Sequence, residues 1–168
     1  MGNRYTRSLF HPVVFCGNFL DCFNLRKPVL RFERIHPLAR IPYKATKHSA
    51  GYDIFSIEEV AILPGTSALV STGLKFRPPK DCYLRIAPRS GYSQRTGTNV
   101  HAGVFDFDYT GNCTILLFNH SEITVEIKPG ERVAQIIPTR IRYPKLEEVP
   151  CIRPTRRGSF GFGSSGMN

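Results

Sequence analysis

The stretch Gly103-Val104-Phe105-Asp106-Phe107-Asp108-Tyr109-Thr110-Gly111 sets two carboxylates and a phenol between two glycines. Apolar and acidic residues alternate through it, as in an extended chain whose side chains point to opposite faces in turn. On that spacing Asp106 and Asp108 share one face, and Phe105 and Phe107 the other. A carboxylate that can take a proton from water, beside a ring that can pack on a ligand, is the material of a reaction centre. Read by itself, the stretch fits a hairpin carrying two solvated acids better than a reaction centre. Its company decides between the two.

Four further clusters carry groups of chemical use. Ser49-Ala50-Gly51-Tyr52-Asp53 places an acid just after a small-residue turn. Pro88-Arg89-Ser90-Gly91 offers a guanidinium, a hydroxyl and an unhindered backbone amide in succession, a set that suits phosphate oxygens. Gly130-Glu131-Arg132-Val133-Ala134-Gln135 ends in an amide able to donate to an oxygen or hold a water. From Arg157 to Gly166, glycines and serines surround an arginine with Phe160 and Phe162. That tail is like phosphate-cradling loops in composition, yet it lacks their lysine and opens no helix. A merely flexible terminus is the other reading, but its two rings would then expose apolar surface for no gain.

The elements that must hold these clusters read as short strands. Val29 to Ile35, Tyr52 to Ser56, Val60 to Leu63, Ala68 to Ser71, Leu74 to Phe76 and Cys82 to Ala87 are candidates before the acidic stretch. Thr114 to Phe118, Ile123 to Ile127 and Val133 to Ile137 follow it. Turn residues such as Pro64-Gly65, Pro78-Pro79 and Pro129-Gly130 cut them apart, and no segment sustains a helical apolar period. Spacing of this kind predicts an all-β sandwich or barrel.

The 168 residues suffice for one domain with a real core. A formal charge of +10 admits nucleic acid, an anionic surface or a polyanionic small molecule as partner. Its distribution narrows the choice. Up to Arg31 the chain carries Arg4, Arg7, Arg26, Lys27 and Arg31 against Asp21, and the remaining positive charge is scattered. No stripe of basic and aromatic residues marks a nucleic-acid groove. Five cysteines without a C-x-x-C pair indicate neither a zinc site nor a disulfide framework and read as reduced, in an intracellular protein. No stretch approaches the ~20 apolar residues that span a bilayer. Residues 1–28 read as a disordered or targeting leader, with basic residues that fit a mitochondrial signal and a start that fits N-myristoylation.

Taken in order, Ala-Gly-Tyr-Asp, Pro-Arg-Ser-Gly, Gly-Val-Phe-Asp-Phe-Asp-Tyr-x-Gly, Gly-Glu-Arg-Val-Ala-Gln and Arg-Gly-Ser-x-Gly-Phe-Gly-Ser-Ser-Gly resemble the five ordered motifs of the trimeric deoxyuridine triphosphatases (dUTPases). The resemblance covers about Val29 to Asn168. It implies a β jelly-roll subunit at 29–152, a glycine-rich lid at 153–168, and a homotrimer with sites at its subunit interfaces. It implies hydrolysis of dUTP to dUMP and pyrophosphate with Mg²⁺. Asp106 is then the base that activates water, and Tyr109 packs on the deoxyribose. Gly103, Val104 and Phe105 present backbone to the uracil. Arg89, Ser90, Gly91 and Gln135 take phosphates, with Thr114 and Gly163 also among the substrate-binding residues. Arg157 reaches the γ-phosphate, Phe162 stacks on the base, and Asp53 acts through magnesium-bound water. His101, Thr110 and Phe160 depart from the usual pattern without removing a reacting group. A related dCTP deaminase would need a different acid–base set around the pyrimidine. A non-enzymatic binding module of the same fold would have no need of Asp106, Arg157 and Phe162 together.

No candidate site residue lies in the leader. Deleting residues 1–28 is therefore expected to leave the oligomer and its turnover intact, as read by sizing and a pyrophosphate-release assay.

Overall fold

The computed structural model describes residues 28–160. Eleven strands and one short helix form an all-β unit, as the strand spacing predicts. In chain order they are β1 Arg31–Arg34, β2 Tyr52–Phe55, β3 Val60–Ile62, β4 Ser67–Ser71, β5 Leu74–Arg77 and β6 Cys82–Ala87. The helix α1 Ser90–Thr96 follows, then β7 Thr98–His101, β8 Val104–Phe105, β9 Thr114–Asn119, β10 Val125–Ile127 and β11 Arg132–Arg140. Two sheets dominate: β2-β11-β6-β8 and β4-β9-β7. The pairs β1-β5 and β10-β3 complete the shell, and every pairing is antiparallel.

Alternation builds the core. In β9, Ile115, Leu117 and Asn119 point inward while Thr114, Leu116 and Phe118 are half-exposed. In β6, Cys82, Leu84 and Ile86 are buried. These meet Ile54, Ile62, Val70, Leu74, Ile127, Val133 and Ile136 in one cluster shared by both sheets. Pro138 sits within β11 without breaking it. β2 stops pairing at Ile136, so beyond that point β11 is an edge on one side and needs no donor there.

Two elements fall outside the sequence reading. The helix α1 buries Tyr92 alone, so it shows no periodic stripe. Gly97 ends it at φ 69°, donating to the Ser93 carbonyl at 2.8 Å, as a left-handed C-terminal residue does. The strand β7 carries polar Thr98, Asn99 and His101, which hide its β character. Gly73, at φ 64°, makes the tight return from β4 to β5; a Cβ there would lie 2.7 Å from that of His36.

One buried amide ties three segments. Asn119 Nδ2 donates to the carbonyls of Ile62 at 2.9 Å and Ile123 at 2.7 Å, and its Oδ1 accepts from the Ser121 amide and hydroxyl. Asn119→Ala strands these groups, so a loss of about 2–3 kcal/mol is expected in denaturant unfolding.

Candidate active site

The register of three strands gathers the phosphate-type residues. Asp53 of β2 and Ala87 of β6 lie opposite Gln135 of β11 from its two sides. Pro88 and Arg89 leave the end of β6 at the same place, and Ser90 and Gly91 open α1. Asp53 is nearly buried and receives two guanidiniums. Arg89 Nε lies 3.0 Å from Oδ1 and Arg132 Nη1 3.1 Å from Oδ2. Arg89 Nη1 also donates to the Arg132 carbonyl at 2.8 Å. Nε–H and one Nη1–H are thus committed, and three of the five N–H donors of Arg89 remain for a ligand.

Gln135 Nε2 donates to the Pro88 carbonyl at 3.0 Å. Its amide packs so closely on Gly51 that a Cβ there would collide with Gln135 Oε1. This is the physical reason for a glycine two residues before Asp53. At Gly91 the situation is reversed: a Cβ would meet nothing within 4 Å, and the backbone amide is open to approach. The first three amides of α1 precede its first internal bond, Ser93 N–H to the Arg89 carbonyl at 2.9 Å.

The acidic stretch sits elsewhere. Gly103 packs on β6, its carbonyl accepting from Ile86 N–H at 2.8 Å, and a Cβ on it would lie 2.5 Å from the Ile86 carbonyl oxygen. Val104 and Phe105 then pair with Arg85 and Leu84 as β8, at the open edge of the sheet. Extended backbone ends there. Tyr109 N–H donates to the Asp106 carbonyl at 3.2 Å, so 106–109 is a turn rather than a continued strand. Asp106 and Asp108 are exposed and Phe105 and Phe107 half-buried, the alternation the sequence suggests, produced by strand plus turn.

The Tyr109 ring is 46% exposed, lies edge-on to Phe105 at 5.1 Å, and donates its hydroxyl to the Asn112 carbonyl at 3.1 Å. It leans over Gly111, where any Cβ would strike the phenol. That contact explains the glycine two residues after the tyrosine. Thr114 begins β9 opposite Ser71, beyond this turn.

Asp106 follows Phe105, which lies opposite Leu84, and Leu84 is five residues before Arg89. At ~3.3 Å per strand residue, Asp106 stands roughly 15–20 Å from the Arg89 group. The structure therefore brings Asp53, Arg89, Ser90, Gly91 and Gln135 together, and Gly103, Val104, Phe105, Asp106 and Tyr109 together, but holds the two groups apart. Arg157 joins neither through a hydrogen bond. Its Nε donates to the Phe160 carbonyl at 2.9 Å, within an exposed turn. Phe162 and Gly163 lie outside the described residues. Sequence reasoning quoted Arg132 but gave it no role; its pairing with Asp53 depends on a bulge in β11 between Arg132 and Ala134, which has no sequence signature.

Among the described residues no cluster of three acids, histidines or cysteines could hold a metal ion, and no helix is long and apolar enough to cross a membrane. Cys82, Cys113 and Cys151 are free thiols. Burial pushes Cys113 up to about 12, so it is a core group and not a nucleophile.

The family model described as dUTPase matches residues 38–166. A mouse deoxyuridine 5'-triphosphate nucleotidohydrolase is 45% identical over 139 residues, 83% of this chain and 86% of its own length. A fowl adenovirus protein of the same name is 46% identical over 144 residues, 86% of this chain and 81% of its own. The dUTPase of Staphylococcus bacteriophage 80alpha, solved with dUpNHpp, superposes with a TM-score of 0.78 at 29% identity, covering 83% of this chain and 99% of that one. The dUTPase of phage phi11 of S. aureus, described with a structural Mg(II) ion, superposes at 0.69 and 26% identity, covering 74% and 98%. With the fold, the ordered motifs and these relatives in agreement, this chain belongs to the dUTPase family.

Proposed function

We propose that this chain hydrolyses dUTP to dUMP and pyrophosphate by attack of water on the α-phosphorus, keeping uracil out of DNA and supplying dUMP. The observation that carries the reading is the gathering of Asp53, Arg89, Gly91 and Gln135 at one end of the four-stranded sheet, with an exposed carboxylate, Asp106, on a turn braced by Tyr109. Guanidinium, hydroxyl and open amides hold phosphate oxygens and stabilise the charge that builds on them. Asp106 takes the proton of the attacking water. Tyr109, fixed by its bond to the Asn112 carbonyl, packs on the deoxyribose and leaves no room for a 2′-hydroxyl. β8 lies at a sheet edge, so its outward backbone groups from Gly103 to Phe105 can read the uracil. Thr114 supports that side of the substrate.

Roughly 15–20 Å between Asp106 and Arg89 is too far for both to reach one phosphate. The reading therefore requires Asp106 of one copy to face the Arg89 group of another. This supports a homotrimer with three interface sites. Residues 29–152 form its catalytic subunit and 153–168 the lid, whose Arg157 binds the γ-phosphate while Phe162 and Gly163 close over the base.

Magnesium fits this donor set as an ion that arrives on the triphosphate. Both Asp53 oxygens already receive an arginine, which favours contact with such an ion through water, and Mg²⁺ commonly retains several waters and binds substrate phosphates. When bound it neutralises phosphate charge. We place the enzyme inside the cell, with residues 1–28 a leader outside the catalytic unit, for which a mitochondrial signal is one reading; one human relative is named mitochondrial. No nucleic acid or membrane is needed for turnover.

Asp106→Asn is expected to preserve the oligomer and dUpNHpp binding while lowering kcat by at least ~10²-fold, the scale of a lost general base. Near-normal turnover of dUTP by that variant would remove Asp106 from the mechanism. Truncation after Pro154 should leave dUMP binding near normal and abolish most of the kcat, because the lid acts by excluding water around the reacting phosphate. Full-rate turnover by the truncated chain would return the tail to a flexible terminus.

A further inference from the structure

The helix α1 turns one side chain inward, Tyr92, and the residue is 2% exposed. Its hydroxyl oxygen is buried without a hydrogen-bond partner among the described residues. A buried phenol nearly always finds a partner, since leaving the donor unpaired costs ~1–3 kcal/mol. Tyr92 lines a cavity of about 300 Å³ together with Arg89, Gly91, Arg95, Glu131 and Arg132.

Two further features say what this cavity takes. Three guanidiniums outnumber the carboxylates beside them. Asp53 is shared between Arg89 and Arg132, and Arg95 lies 3.6 Å from Glu131, a loose pair on a side chain 67% exposed. The balance favours an anion. Gly91 is the second feature. Neither its φ nor its packing demands a glycine, and the room where a Cβ would stand is open beside the amide assigned to phosphate. Burial, with help from Glu131 and against Arg95 and Arg89, pushes the phenol up to about 12. Tyr92 thus stays a neutral hydrogen-bond donor, a core residue on the wall of a pocket that three arginines also line.

We propose that Tyr92 is a further substrate-binding residue of the phosphate site, its hydroxyl donating to an oxygen of the β- or γ-phosphate. The inference rests on the triphosphate reading of Arg89 and Gly91. Arg95 is the pocket arginine that lies over Tyr92. Its guanidinium lies 5.4 Å over the Tyr92 ring and 3.6 Å from Glu131, two weak contacts on a largely exposed side chain. An arriving phosphate competes for Arg95 and draws it off the ring.

The test compares the full-length wild type with Tyr92→Phe, which keeps the ring and removes the hydroxyl alone. Thermal midpoints without ligand are measured first, then calorimetric affinities for inorganic pyrophosphate, dUpNHpp and dUMP. The expected result is an unchanged or raised midpoint, because an unpaired buried donor has been deleted. Pyrophosphate and dUpNHpp should bind about tenfold more weakly, and dUMP as before. Unchanged affinity for pyrophosphate and dUpNHpp would overturn the inference. A lowered midpoint with equal weakening of all three ligands, dUMP included, would also overturn it, since the hydroxyl would then serve the fold through Glu131. If the wild type binds neither dUpNHpp nor pyrophosphate, the triphosphate reading itself fails, an outcome separate from the other two.

Discussion

Asp53 is the group on which the proposed phosphate site depends. Its two oxygens receive separate guanidiniums, one from the second residue after β6 and one from the start of β11, while its own backbone belongs to β2. A carboxylate this well buried is costly to desolvate, and a pair of this kind adds little net stability compared with apolar packing. Its worth lies in position. A free arginine side chain loses up to ~2 kcal/mol of rotamer freedom when a ligand fixes it. Here Arg89 is fixed beforehand, by Asp53 and by the Arg132 carbonyl, so the loss is carried by folding and not by substrate binding. The same logic runs through Gln135, held on the Pro88 carbonyl and wedged against Gly51.

A fixed cation cluster at one end of β6 makes the distance to Asp106 a rigid quantity. β6 pairs with β11 along its whole length on one side and, at Leu84 and Arg85, with β8 on the other, so one continuous ladder separates Asp106 from Arg89. Closing that gap within one subunit would mean breaking the ladder. In the proposed trimer the mismatch disappears, because a base from one copy and phosphate donors from another need only face each other across an interface. The open edge of β8 and the exposed Asp106 turn suit such a seam. So do the apolar side chains on the outer face of the β4-β9-β7 sheet, where Leu69 is 63% exposed.

How much of this the sequence reveals depends on the range of the interaction. Strands with buried alternation, β6 and β9 above all, are legible because each inward residue is apolar. The helix α1 is not, since one buried tyrosine makes no pattern, and β7 is masked by its polar outer face. Motif order points to the family and to Asp106, Arg89 and Gln135 as a set. It is silent on which of them touch. The pairing of Asp53 with Arg132 crosses 79 positions of chain and a bulge, and Gly51 beneath Gln135 is a contact between strands. Such contacts exist only once register is set. Tyr92 follows directly on Pro88-Arg89-Ser90-Gly91, yet the sequence does not mark it, because a buried unpaired hydroxyl is a property of packing alone.

The C-terminal arm joins these themes. Every residue from 140 to 160 is exposed, and several are large and apolar, Leu146 to 96%. Within one subunit these side chains stand in water, which disfavours a free arm. In the proposed trimer they gain a partner by lying across a neighbouring copy, and that contact changes the thermodynamics of the lid. Ordering a chain costs ~1–2 kcal/mol per residue, so a lid free from Arg140 onward would ask more of the substrate than its phosphate and ring contacts can return. With residues 141–152 anchored by assembly, substrate has only the segment after them to position. The γ-phosphate contact proposed for Arg157 then has a cost it can offset, and its loss on cleavage releases a short segment rather than the whole arm. In that proposal assembly would do for the lid what Asp53 does for Arg89: move the entropy of positioning from the catalytic cycle into the folded state.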